Sequence, residues 1–178
     1  MTQWVAFLRG INVGGHRKIP MASLRKIWAA QTGIGDVRSY IASGNLVFTG
    51  QGPADDLAAG LQAVIADTFG FDVPVLVLSA KTMRDLVGSC PFAQAPGNRV
   101  HAYLCYTPPV VDWDGVRALQ TASEDVAVIG NVVWLHVPDG IGRSKLAARL
   151  EHLIGVPATA RNLNTIHKMH GFLDGSGD

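Results

Sequence analysis

Apolar positions along the chain fall into short runs and helical stripes, and their order predicts the fold. Residues 4–8 are an apolar run ending at Arg9-Gly10, which predicts a buried strand. After a glycine-rich loop, Met21, Leu24, Ile27 and Trp28 recur at helical spacing, and Gly33 ends that helix. Residues 37–42 and 46–49 predict two strands flanking Ser43-Gly44-Asn45, a hairpin signal. Residues 54–69 predict a helix with Asp55 and Asp56 in its first turn and a stripe of Leu57, Leu61, Val64, Ile65 and Phe69. Gly70 caps it, and residues 73–78 are another apolar strand. The first half therefore reads β-α-β-β-α-β, the ferredoxin-like order.

The second half repeats the pattern. Ser79 caps a helix carrying Met83, Leu86 and Val87, and residues 89–98 read as a linker. Residues 99–106 alternate as a strand, Asp112 starts a helix with Val116 and Leu119, and residues 126–129 and 132–137 flank Gly130-Asn131 as a second hairpin. A helix over 143–154 carries Leu146, Leu150, Leu153 and Ile154 and stops at Gly155. This half reads β-α-β-β-α, with the last strand missing or short. A final helix follows Thr159, with Leu163, Ile166 and Met169 inward. The expected fold class is α+β: two ferredoxin-like (βαββαβ-type) halves with antiparallel sheets, plus a C-terminal helix. The halves are expected at 1–79 and 99–173, with a helix and linker at 80–98 and a flexible tail at 174–178.

Composition narrows the function classes. The chain has 178 residues, 48% of them hydrophobic, and its 15 Lys+Arg nearly balance 14 Asp+Glu. A net charge of +1 excludes a polybasic nucleic-acid glue and a disordered acidic tail, but not a local basic patch. Cys90 and Cys105 are too few and too far apart for a metal knuckle or a disulfide framework, and read as buried thiols. The N-terminus lacks a signal-peptide pattern and no apolar run reaches membrane-spanning length, so the expected location is the cytoplasm, without membrane contact.

Charge is unevenly placed. Segments 9–18, 38–45, 143–145 and 159–168 total 31 residues and hold eight of the 15 Lys+Arg but no carboxylate. Donor-rich loops favour phosphate, carboxylate or a nucleic-acid backbone. The candidate ligand-binding residues are Arg9, Asn12, Gly14, Gly15, Ser43, Asn45, Arg143, Ser144, Lys145, Arg161, Asn162 and Thr165. Two of the segments run from strand through a glycine loop to a helix start, where backbone N–H groups meet an anion. Neither is a dinucleotide fingerprint or a Walker A loop. The fourth starts a helix, on which Arg161, Asn162 and Thr165 share a polar face opposite Leu163 and Ile166. A plain structural role stays open for each: turns needing positive φ, an N-capped helix at Ser144, a solvated face. His167 and His170 lack a third ligand, so no metal or cofactor is expected, and His101 and His136 read as satisfied, half-buried strand residues. No G-x-S-x-G elbow is present, no catalytic residue is assigned, and whether the chain is an enzyme stays open.

The runs 8–15 (LRGINVGG), 40–48 (YIASGNLVF), 142–146 (GRSKL) and 158–162 (ATARN) resemble, in order, a widespread bacterial domain-of-unknown-function family. The sequence departs from the family pattern at Ala42 and Leu163, where Gln and Trp are common. The resemblance implies a two-part α+β fold with ferredoxin-like halves and no assigned activity. It also implies that Arg9, Asn12, Ser43, Asn45, Ser144, Lys145, Arg161 and Asn162 gather in one cleft.

Three functions follow as expectations. The first is a protein that binds a small phosphate- or carboxylate-bearing molecule in a donor-rich cleft between the halves. The second is an RNA- or DNA-binding module, although the aromatic signature of sheet-based RNA readers is absent. The third is a structural or interaction protein whose polar motifs only cap helices and pin loops. Oligomeric state is left open.

Overall fold

Every apolar run finds antiparallel partners in the computed structural model, which describes residues 1–176. Of the expected tail, Gly177 and Asp178 lie outside the described residues. The first seven elements are β1 (Thr2–Leu8), α1 (Met21–Ala29), β2 (Gly35–Tyr40), β3 (Asn45–Gly50), α2 (Ala54–Phe69), β4 (Val75–Ser79) and α3 (Ala80–Gly88). The next seven are β5 (Val100–Cys105), α4 (Trp113–Leu119), β6 (Asp125–Ile129), β7 (Val132–His136), α5 (Lys145–Leu153), β8 (Ala158–Asn162) and α6 (Leu163–Leu173). One sheet has the order β2-β3-β1-β4 and the other β6-β7-β5-β8. The two orders are equivalent, and both are ferredoxin-like. The fold class is therefore α+β with two similar halves and a C-terminal helix.

The last strand of the second half is present. β8 pairs with β5 from Cys105↔Ala158 to His101↔Asn162, so Thr159, Arg161 and Asn162 are strand residues and the final helix begins at Leu163. Arg161, Asn162 and Thr165 accordingly do not share a helical face. The helical stripe of Leu163, Ile166 and Met169 hid the boundary, because the strand before it is made of Ala, Thr, Arg and Asn. No loop separates β8 from α6. Asn162 Oδ1 accepts the Thr165 N–H at 2.9 Å and caps the helix. The β4–α3 junction is built the same way, with the Thr82 N–H donating to Ser79 Oγ at 3.1 Å. Each half is thus βαββαβα, and the helix after Ser79 is the counterpart of α6.

Contacts divide the chain into two compact units, one of Met1–Leu86 with the residues from Lys168 onward, the other of Val87–His167. In the first unit, alternate residues of β1, β3 and β4 (Trp4, Ala6, Leu8, Leu46, Phe48, Val75, Val77) pack on Leu24 and Trp28 of α1 and on Leu57, Leu61 and Ile65 of α2. Trp28 meets Phe48 edge-on, with ring centroids 5.5 Å apart. In the second unit, Tyr103, Cys105, Val133 and Leu135 pack on Val116 of α4 and on Leu146, Leu150 and Leu153 of α5. Cys90 and Cys105 are buried free thiols, and burial pushes both above the ordinary thiol range.

His101 departs from its expected satisfied state. It is buried on β5, and its Nε2 has no hydrogen-bond partner among the described residues. Burial lowers its pKa below the ordinary 6.5, against a smaller opposing effect of a backbone hydrogen bond at Asn98. The unfolded chain then binds a proton more readily than the folded one as pH falls below 6.5. Stability is expected to fall with pH from that point down to the folded-state value. Urea unfolding across that window should show the slope, and His101→Leu should flatten it.

Candidate functional site

The loop from β1 to α1 is a small hairpin whose shape follows from its glycines. The His16 N–H donates to Val13 O at 3.0 Å, and Gly14 and Gly15 between them have φ of 57° and 77°. Two successive positive φ values are what a type I′ turn requires, and glycine supplies them without strain. The Asn12 N–H donates to Arg17 O at 3.2 Å, closing the hairpin. His16, Arg17 and Lys18 on its returning arm are all exposed.

Asn12 ties this loop to the chain on either side. Its Nδ2 donates to Ile19 O at 3.0 Å and to Ala42 O at 2.7 Å, and its Oδ1 accepts the Ile19 N–H at 2.9 Å. Asn45, fully buried, donates from Nδ2 to Tyr40 O at 2.9 Å and to Ser43 Oγ at 3.0 Å. Between the two gripped carbonyls sits Ile41, an exposed β-branched residue at φ 49°. A β-branched side chain in that region is strained, and it persists only where neighbours impose it. Gly44 lies beneath, its carbonyl accepting the Leu8 N–H at 2.8 Å. The first two motifs therefore form one stitched unit at the end of β1.

Two surface cavities border that unit. One, of about 450 Å³, is lined by Asn12, Gly15, Lys18, Ile19, Pro20, Met21 and Ala42 at the start of α1. Pro20 occupies the cap position of α1, no side chain caps the helix, and its first turn holds no acid. The other, of about 480 Å³, is lined by Arg9, Gly10, Arg17, Asp72 and Pro74. The fold thus brings a carboxylate, Asp72, to a segment that contains none of its own.

The motif residues of the second unit lie at two helix starts. Arg143 closes an exposed turn, Ser144 Oγ accepts the Ala147 N–H at 2.9 Å and caps α5, and Lys145 is exposed on its first turn. Thr165 is buried and held by Asn162. Arg161 on β8 donates from Nη1 to Thr159 Oγ1 at 3.1 Å and to Ala160 O at 2.8 Å. Burial pushes its pKa down to about 10, with Tyr106 acting the other way, so it keeps its charge at neutral pH. Of the twelve candidates, Arg9, Asn12, Gly14, Gly15, Ser43 and Asn45 fall in the first unit, and the other six in the second. Asn12, Asn45, Ser144 and Asn162 use their side chains to bind backbone.

The sequence marks Lys18 as a donor and the segment before α1 as leading to a helix start, but the twelve candidates include none of Lys18, Pro20 and Met21. A signal was available: the first 35 residues hold five Lys+Arg and no Asp or Glu. Among the described residues no group of His, Cys, Asp and Glu is placed to hold a metal ion, and no helix is long and apolar enough to cross a membrane.

The family described as protein of unknown function (DUF1697) matches residues 1–134. The chain belongs to that family. The DUF1697 match takes in the stitched loops of the first unit and ends at Trp134 on β7, before the motifs of α5 and β8. No curated protein matches the chain. Among solved structures it is similar to the conserved bacterial protein SP0830 from Streptococcus pneumoniae, at 24% identity and a TM-score of 0.67. The alignment covers 97% of this chain and 98% of the other. That likeness shows a shared fold over both halves.

Proposed function

We propose that this protein binds a small phosphate- or carboxylate-bearing molecule at the start of α1. The observation that carries the reading is the cavity of about 450 Å³ where the uncapped helix start, Gly15 and Lys18 meet. Uncapped N–H groups and the positive end of the helix dipole attract an anion. Lys18 supplies a full charge, and no carboxylate in the first 35 residues competes for it. Asn12 and Asn45 act as positioning residues, holding the loops that border the cavity. The buried thiols Cys90 and Cys105 fit a reducing compartment, which supports a cytoplasmic location.

Inorganic phosphate is the first probe. Titration should shift the backbone amides of Gly15, Ala22 and Ser23 in NMR spectra, and Lys18→Ala should weaken that binding about tenfold. Unmoved amides at the start of α1 would refute the site. A salt slope reflecting many displaced counterions, with an oligonucleotide binding far more tightly than phosphate, would replace it with nucleic-acid binding.

A further inference from the structure

A second polar site lies on the face of the β1–β3 sheet opposite the Trp4–Phe48 core. Gln3 pairs with Thr49 across β1 and β3, and Arg38 pairs with Val47 across β2 and β3. Paired residues and residues two apart share a face, so Gln3, Thr49, Val47 and Arg38 all lie on this one. From Gly35 to Arg38, β2 advances three residues while β3 advances two, from Thr49 to Val47. The extra residue makes a bulge, and within it Asp36 is held at φ 49°. Bulges and left-handed non-glycine residues both redirect side chains, and both recur beside functional sites.

The bulge opens onto a cavity of about 330 Å³ whose lining includes Gln3, Asp36, Arg38, Val47 and Thr49. That volume is at the lower end for small-molecule sites, roughly 300–1,000 Å³. Asp36 and Arg38 carry opposite charges on one cavity, yet no ion pair joins them among the described residues. Among the described residues Gln3 makes no side-chain hydrogen bond, and the buried Thr49 hydroxyl has no partner. Arg38 is already oriented: its guanidinium lies over the Phe172 ring, 5.0 Å from the centroid, and Nη2 donates to Phe172 O at 2.8 Å. The rest of its planar fork remains for a carboxylate.

We propose that this cavity binds a small zwitterion of the free amino-acid class, its carboxylate on Arg38 and its ammonium group on Asp36. Two opposite charges kept apart on one cavity suit a ligand with two opposite ends, and Gln3 can hydrogen-bond either. The site is separate from the one proposed at α1.

The test is calorimetric titration of the full chain with the free amino acids, each at millimolar concentration. Each is matched by an amine lacking the carboxylate and a carboxylic acid lacking the amino group. At least one amino acid should bind, with both matched fragments about tenfold weaker or more. Asp36→Asn, which keeps a side chain tolerant of left-handed φ, should weaken the amino acid about tenfold and leave the carboxylic acid unchanged. Lys18→Ala should not affect amino-acid binding, and Asp36→Asn should not affect phosphate binding, so the two sites fail or stand separately. Three results overturn the proposal: no amino acid binds, Asp36→Asn binds it as well as the parent, or the carboxylic acid alone binds equally tightly.

Discussion

Gly44→Ala is expected to destabilise the first unit by about 3–5 kcal/mol, the sum of left-handed strain and overpacking in a tight core. Gly44 has φ 87°, which costs any residue with a Cβ. A Cβ there would also lie 2.7 Å from Leu8 Cβ and 2.9 Å from Ile11 Cδ1. Both neighbours are buried, and Leu8 Cβ is fixed to the backbone of β1, so neither has room to retreat. Gly70→Ala separates the two causes. Gly70 caps α2 at a similar φ of 80° with nothing within 4 Å of its notional Cβ, so its replacement should cost only about 1 kcal/mol. Urea unfolding of both variants gives the difference, which measures the close approach of the two loops. Equal losses would mean that only backbone strain acts at Gly44.

Asn12→Asp should produce the second large effect, a loss of about 2–4 kcal/mol from an almost isosteric change. The acceptor facing the Ile19 N–H survives, but both Nδ2 donors go. An anionic oxygen then faces Ile19 O and Ala42 O, where Nδ2 now sits at 3.0 and 2.7 Å. The substitution frees Ala42 from its clamp, so the strained conformation of Ile41 should relax. Phosphate binding at the site proposed at the start of α1 should weaken along with stability, because Asn12 holds that loop in place. Two carbonyl oxygens disfavour the charged carboxyl, so its folded-state pKa lies above the unfolded value of about 3.9. The defect is therefore greatest at neutral pH and should shrink as pH falls through the folded-state pKa, when a protonated carboxyl can again donate one hydrogen bond. Denaturation across pH 4–7 reads this directly. A loss of stability independent of pH would show that neither the new charge nor the donor restored on protonation governs the defect.

Much of the fold was legible because burial imposes periodicity. The runs at β1 and β4 and the stripe Leu57, Leu61, Ile65 announce their elements without reference to partners. β8 was not legible, since a strand of Ala158, Thr159, Ala160, Arg161 and Asn162 becomes a strand only by pairing with β5. The candidate site was legible as donor content but not as role. Nothing local distinguishes an asparagine that grips three backbone groups from one that awaits a ligand. Asn12 reaches Ala42, 30 residues away, and that contact exists only once β1 and β3 are paired.

By itself the sequence determined the order of elements, the two similar halves and the uneven placement of charge, because these depend on residue type and spacing. Tertiary structure decided which polar groups are already engaged, where Asp72 joins Arg9 and Arg17, and that Asp36 and Arg38 face one cavity without pairing. Hydrogen bonds and cavities form between segments distant in the chain. Their geometry is fixed by which segments pair across the sheet and by a single-residue bulge, and local hydrophobic pattern names neither the partner strand nor the bulge.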